Sequence, residues 1–325
     1  MVIGCVVPSC REEQAVAFVR EWMPEVGGQG ARLYVVEDGP SRSFHLGPHG
    51  SRDLAHLCWA DAPAGMLDCI TVRSPGCRQI GLWQAYRDGC DIIVTLDDDV
   101  RPMAGERLVE RFAGILSAGL AVWVDPLENY RSRGYPYRNT GRMPVAFHVG
   151  TFFGIPDVDG ETQLRHQAEF AGRPPEYVRR PTIVPPGQLV PVNGGICGWQ
   201  RALTPYVHYT LWDPELGYRR FDDIWMGIIL KHMLDLAGLR MSYGPPGAVH
   251  DRASDARRNA VLECDAREWN EQFWEVLANA MDRCRPAGRL ALDAAWAAVI
   301  EALERTGNAW AAREAAAMRA WRTFF

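Results

Sequence analysis

Residues 91–99 read Asp91-Ile-Ile-Val-Thr-Leu-Asp-Asp-Asp99, a mostly apolar run that ends in three consecutive carboxylates. Asp91–Leu96 has the length and continuity of a strand buried on both faces, as in parallel sheets covered by helices. Like charges held so close repel. The triplet is therefore a solvated turn, a calcium-type loop or a place that holds a cation against something anionic. Working outward, the same strand signature recurs at Val2–Val7, which stops at Pro8, and at Arg32–Val36, which stops at Glu37-Asp38-Gly39-Pro40. Cys69–Val72 and Ala121–Val124 read as two further strands. Helical segments separate them. Ser9 and Glu12 have the spacing of a capping box, ahead of Ala15, Val16, Val19, Trp22 and Met23 on one helix face. Arg78–Arg87 reads as a helix, and Asp222–Leu239 as a longer one stopped by Gly238. Strands alternating with helices predict a mostly parallel sheet flanked by helices.

The middle of the chain, from Tyr130 to Gln200, is rich in Gly, Pro and Arg, shows little helical periodicity and is punctuated at Pro174-Pro175. Within it, Val192-Asn193-Gly194-Gly195 reads as a tight turn. After Asp251 the composition changes to Ala, Glu and Arg, with Trp296, Val299, Ile300 and Leu303 on one helical face. Trp310, Ala317, Met318, Trp321 and Phe325 repeat that spacing after a break at Gly307. The organisation expected is an α/β domain over 1–255 and a C-terminal helical extension over 256–325.

Composition narrows the function. A net charge of -5 excludes the basic footprint of a nucleic-acid binder. Lys231 is the only lysine, so an anion clamp here has to be an arginine fork; the arginine bias also points to a G+C-rich bacterial genome. Nine cysteines, at 5, 10, 58, 69, 77, 90, 197, 264 and 284, form no CxxC pair and read as reduced thiols of a cytoplasmic protein. The N-terminal apolar run lacks a basic leader and reads as a strand, and no stretch reaches the ~20 apolar residues of a membrane span.

In open α/β sheets ligands sit at the carboxyl ends of the strands. Three predicted strands end in polar signatures there: Pro8-Ser9-Cys10-Arg11, Glu37-Asp38-Gly39 and Asp97-Asp98-Asp99. In an extended strand Asp97 and Asp99 share one face and Asp98 takes the other. The first two would seat a hard cation such as Mn²⁺ or Mg²⁺, able to neutralise a diphosphate leaving group. An EF-hand loop is excluded by Val100, Met103 and the missing Gly. A strand-end Asp-x-Asp after two other polar strand ends is the pattern of nucleotide-sugar transferases of the GT-A type, a Rossmann-related fold.

The order of several short pieces makes a resemblance specific. Val-Val-Pro-Ser-Cys-Arg11, Val-Val-Glu-Asp-Gly39, Gly-Cys-Arg78 and Thr-Leu-Asp-Asp-Asp99 come first. Arg-Gly-Tyr-Pro136, Gly154-Ile-Pro-Asp-Val-Asp159, Val-Pro191 through Gly194, Phe221-Asp-Asp-Ile-Trp225 and His250 before Ala253-Ser254 follow. Together they resemble the reversibly glycosylated polypeptides, glycosyltransferase family 75, whose plant members are UDP-arabinopyranose mutases. The resemblance covers roughly three-quarters of the chain, and the segment after about 265 has no recognised counterpart.

That resemblance implies roles for individual residues. Pro8, Ser9 and Arg11 would line the base and ribose, with Asp38 and Asp98 as hydrogen-bond partners of the nucleotide; Asp38 also reads as a plain turn residue before Gly39. Arg78 would reach the diphosphate. Asp97 and Asp99 would face the metal, with His250 completing the shell as neutral imidazole. Of Asp222 and Asp223, one would cap the helix and the other face the reacting sugar. Asn193, Gly194 and Gly195 would let backbone approach the sugar closely. The family's self-glycosylated arginine, in a Tyr-Pro-Phe-Ser-Leu-Arg context, falls without gaps on Thr140, between Arg138 and Arg142. Either a neighbouring arginine takes that role by a local shift or self-glycosylation is absent; both stand as candidate catalytic, phosphate or sugar contacts. No Gly-rich flavin fingerprint follows the first strand. The function expected is a metal-dependent, flavin-free mutase that interconverts pyranose and furanose forms of a UDP- or GDP-linked pentose or deoxyhexose. A glycosyltransferase, or a non-catalytic self-glycosylating scaffold, is the alternative. The C-terminal helices offer a route to homo-oligomers.

Overall fold

The computed structural model describes the chain apart from residues 29, 48–52, 126–130, 137, 173–177, 252–253 and 283–287. Pro174, Pro175, Ala253, Cys284 and the start of the Gly/Pro/Arg-rich middle at Tyr130 lie outside the described residues.

β1 (Ile3–Ser9), α1 (Glu12–Gly27), β2 (Ala31–Glu37), β3 (Leu54–Leu57), α2 (Arg78–Arg87) and β4 (Ile92–Leu96) build the first half. Its strands lie in the order β3-β2-β1-β4, all parallel. The period of two in β1 divides the core. Ile3, Cys5 and Val7 join Phe18 and Trp22 of α1 on one face, and Val6 joins Ile80 of α2 on the other. Gly81 lets α2 lie close to the sheet, because a Cβ there would come within 2.6 Å of Val6 and Val36. With α1 and α2 on opposite faces, strand order reverses between β1 and β4. Their carboxyl ends therefore open a crevice of the kind that takes ligands.

The second half comprises β5 (Val100–Arg101), α3 (Leu108–Ala118), β6 (Leu120–Ala121), β7 (Arg142–Met143), β8 (Phe147–Gly154), α4 (Gly160–Gly172), β9 (Thr182–Val184), β10 (Ile196–Gln200), α5 (Asp222–Ala237) and β11 (Met241–His250). β10 runs antiparallel between β4 and β8, and β11 is parallel to β8 but antiparallel to β5 and β9. The α/β sheet is thus parallel through its first four strands and mixed beyond them.

Local readings differ from this in instructive ways. Cys69–Val72 is not a strand; it is irregular chain between two short 3₁₀ turns, Met66–Asp68 and Pro75–Cys77, and the third strand is Leu54–Leu57. Ala121–Val124 shrinks to the two-residue β6, paired with β7 outside the main sheet. Gly244-Pro-Pro-Gly247, despite its turn-forming composition, lies inside β11, where register slips between Tyr243 and Gly247 and the Pro245–Pro246 peptide is cis. The 9–12 capping box does not form: α1 has Arg11 at its N-cap with no side-chain bond, because the Ser9 hydroxyl is drawn to Asp98. Gly238 does stop α5, at φ 67°. All eight described cysteines are free. No described helix is long and apolar enough to cross a membrane.

The C-terminal helices α6 (Ala256–Asp282), α7 (Leu292–Arg305) and α8 (Ala309–Arg322) share one continuous core with α2 and α5. An aromatic cluster joins them: the Trp310 ring lies 4.6 Å from Trp225 and 5.5 Å from Phe273. Trp310 is fully buried. Trp310→Ala is expected to cost about 3–5 kcal/mol, the usual penalty for emptying a large aromatic site. Chemical denaturation checks it. A loss below about 1 kcal/mol would mean that the helices are loosely attached.

Candidate active site

Three clusters of polar groups line the carboxyl ends of β1, β2 and β4. In the first, Ser9 donates to Asp98 at 2.6 Å, and Arg11 clamps both Asp98 oxygens. Asp98 is buried, which pushes its carboxyl up against the pull of Arg11 and Ser9. Pro8 is buried alongside, and Asp38's amide donates to the Ser9 carbonyl at 2.8 Å. Asp38 accepts from the Trp59 indole and the Arg73 amide, both at 2.9 Å, and burial raises its carboxyl as well. The structure thus brings together four of the expected nucleotide-end residues, Pro8, Ser9, Arg11 and Asp98, with Asp38 beside them stitching neighbouring loops.

The aspartate triplet is not an extended strand. The Val100 amide donates to the Asp97 carbonyl at 3.1 Å, which closes a turn, so strand alternation does not set where these carboxylates go. Asp97 is bound to Arg78 at 2.6 Å. Asp99 instead comes to His250, because β5 pairs antiparallel with β11 and sets Val100 opposite His250. His250 Nε2 lies 3.8 Å from Asp99 Oδ1, its Nδ1 faces the Ile155 carbonyl at 3.1 Å, and its ring stacks on Phe152 at 4.3 Å. An Nδ1–H donated to that carbonyl leaves the Nε2 lone pair on the Asp99 side, the arrangement of a metal-binding imidazole. Asp99 and His250 therefore fit as two protein ligands of a divalent ion. Asp97 does not join them: among the described residues no three His, Cys, Asp or Glu side chains converge on one point.

The third cluster lies between the triplet and the 193–195 turn. Arg78 is not a surface arginine reaching outward. It is buried, donates to the Pro75, Thr95, Gly194 and Asp97 oxygens, and packs over the Tyr209 ring at 4.9 Å. Most of its N–H groups are spent on the protein, which leaves little of the guanidinium for the diphosphate contact expected of it. The Asp97 amide donates to the Gly195 carbonyl at 3.1 Å, tying the two turns together. Glycine is needed there for closeness to protein. A Cβ on Gly194 would meet Tyr209 at 2.7 Å, and one on Gly195 would strike the Asp97 carboxylate. Asn193 accepts from the Gly195 amide at 2.7 Å and donates to Asp157, a carboxylate that sequence reading quoted but gave no role.

Neither Asp222 nor Asp223 caps α5; Phe221 holds the N-cap and both acids sit in the first turn. Asp222 is buried and accepts from the Trp212 indole at 2.9 Å. Asp223 accepts from the Gly194 amide at 2.8 Å. Burial, Asp222 and Asp157 together push the Asp223 carboxyl up to about 8. Arg138 and Arg142 are both exposed, and Arg142 donates to the Gly119 carbonyl at 3.0 Å. No described bond joins either arginine to these acids.

A family profile described as "Reversibly glycosylated polypeptide" matches residues 125–324. The chain belongs to this family. The match runs through α6, α7 and α8, so these helices lie within the family's pattern, beyond the point where the sequence motifs fade. The chain is 27% identical over 299 residues to UDP-arabinopyranose mutase 2 of Arabidopsis thaliana, covering 86% of this chain and 78% of the relative. It is 28% identical over 298 residues to a probable UDP-arabinopyranose mutase 1 of Zea mays, covering 85% and 77%. Among solved structures, a mycobacterial protein matches with a TM-score of 0.42 at 15% identity, covering 83% of this chain and 74% of that one. Glucosyl-3-phosphoglycerate synthase of Mycobacterium tuberculosis, in complex with Mg²⁺ and uridine diphosphate, matches with a TM-score of 0.37 at 14% identity, covering 81% and 79%.

Proposed function

We propose that this member of the reversibly glycosylated polypeptide family is a mutase that interconverts the pyranose and furanose forms of a UDP-linked sugar. The observation that carries the reading is the likeness, over 86% of the chain, to a relative named UDP-arabinopyranose mutase. The geometry supports it. Ring contraction moves a proton from the sugar's 4-hydroxyl to the departing ring oxygen while C1 exchanges one oxygen for the other. The diphosphate leaves C1 and returns to it, so the reaction needs no oxidant and no external acceptor. The Asp223 carboxyl, raised to about 8 beside a glycine turn, suits a concerted relay in which its carbonyl oxygen takes the 4-hydroxyl proton as its hydroxyl delivers one to the departing ring oxygen. Holding the nucleotide at Ser9, Arg11 and Asp98 keeps recombination effectively intramolecular. Asp99 and His250 would hold a Mn²⁺ or Mg²⁺ ion, which when bound neutralises the diphosphate as a leaving group.

Incubation with UDP-arabinopyranose and Mn²⁺, followed by chromatographic separation of ring forms, tests the reading. The furanose form is expected at equilibrium. Net hydrolysis, or sugar transfer with no change of ring size, would overturn it in favour of a transferase.

A further inference from the structure

The expected site residues end at His250, yet the polar contacts of the site continue into α8. Glu314 is fully buried and uses both carboxylate oxygens on one segment: Oε1 lies 2.8 Å from His208 Nδ1, and Oε2 accepts from the Leu211 amide at 2.8 Å. The other His208 nitrogen lies 2.8 Å from the Cys69 carbonyl. The Trp310 indole donates to the Leu211 carbonyl at 2.8 Å, and Arg313 pairs with Asp213. α8 thus grips residues 208–213 on one side.

The other side of the same segment is the wall of the site. Tyr209 lies under the Arg78 guanidinium and against Gly194. The Thr210 amide donates to the Asp222 carbonyl at 3.1 Å, and the Trp212 indole to the Asp222 carboxylate at 2.9 Å. We propose that Glu314 is a positioning residue: it fixes the 208–212 segment, through which Tyr209 sets Arg78 and the glycine turn and Trp212 sets Asp222. Burying a carboxylate is costly unless its oxygens are satisfied, and here both are satisfied by that one segment. α8 is then a buttress of the site. The kinetic arm of the test rests on the mutase reading; the spectroscopic arm does not.

Two variants of the full chain separate the outcomes. Glu314→Gln keeps the shape and removes the charge; Trp212→Phe removes only the contact with Asp222 and leaves the α8 bonds alone. The ¹⁵N-labelled Trp212 indole resonance, assigned by its disappearance in Trp212→Phe, reports the bond to Asp222. In Glu314→Gln it is expected to shift toward the position of a free indole. In both variants kcat is expected to fall by about tenfold or more, as small misplacements of reacting groups do, with the affinity for UDP held within about threefold. An unmoved indole resonance in folded Glu314→Gln overturns the proposal, whatever happens to kcat. If Glu314→Gln fails to fold, an unchanged kcat in Trp212→Phe overturns it. Absence of ring interconversion by the wild type is a failure of the mutase reading alone, and the indole shift then decides the positioning role.

Discussion

Asp223→Asn is expected to lower kcat by about 10²–10⁴-fold with little change in UDP affinity, because it removes a proton carrier and leaves the nucleotide end intact. The pH profile gives the sharper signature. The Asp223 carboxyl is pushed up to about 8 by burial, with Asp222 and Asp157 adding to the shift. A fall of kcat on an alkaline limb near 8 is therefore expected. That limb belongs to the coupled 222–223 pair and not to one carboxyl alone. Asp223→Asn should flatten it. The same shift has a consequence for stability. The raised carboxyl contributes stability fully present below its ordinary value near 4 and lost as pH rises through about 8, since ionisation is easy unfolded and hindered folded. In Asp223→Asn the decline of stability across that window should weaken. A wild-type kcat flat from pH 6 to 9 would remove Asp223 from the chemistry.

How far the sequence carried can be judged from particular elements. β1, β2, β4, α2 and α5 were legible because each is a clean periodic run with its own stop, and Gly238 in the left-handed region ended α5 as read. β3, β8 and β11 were not. Their pairing is long-range, and β11 carries a Gly-Pro-Pro-Gly stretch that local chemistry assigns to a turn. The pairing of β8 with β11 supports that strand despite its prolines, an instance of tertiary contacts overriding local preference.

The site shows the same division. Polar residues at three strand ends were expected together, and the order β2-β1-β4 does set those ends side by side. Side-chain partners were not predictable. Strand alternation paired Asp97 with Asp99, whereas the turn at 97–100 gives Asp97 to Arg78 and leaves Asp99 to His250. Arg78 looked like a phosphate ligand because a helix-start arginine after Gly-Cys carries no sign of burial. Tyr209, Trp212 and Glu314 left no local signal at all, since their roles arise only when α8 closes over residues 208–213.

Loss of either member of the Asp99–His250 pair is expected to weaken Mn²⁺ binding by more than about 100-fold, since outer-shell partners alone commonly cost 10–100-fold. Both side chains are buried, and antiparallel pairing of β5 with β11 brings them together, so rescue of a lost ligand requires another acid to swing in. Asp97 is the natural candidate for such rescue, but Arg78 holds it through a bond of 2.6 Å. Titration of Mn²⁺ followed by electron paramagnetic resonance, in the presence of UDP to supply diphosphate oxygens, measures the loss directly. Asp99→Asn should weaken the ion less than Asp99→Ala, because the amide keeps an oxygen but gives up the charge. Asp97→Asn separates this arrangement from an Asp97–Asp99 chelate. It is expected to leave Mn²⁺ affinity within about threefold while disturbing Arg78, whereas a shared chelate would lose as much from Asp97 as from Asp99. Equal losses at 97 and 99 would return the ion to the triplet and make His250 a packing residue against Phe152.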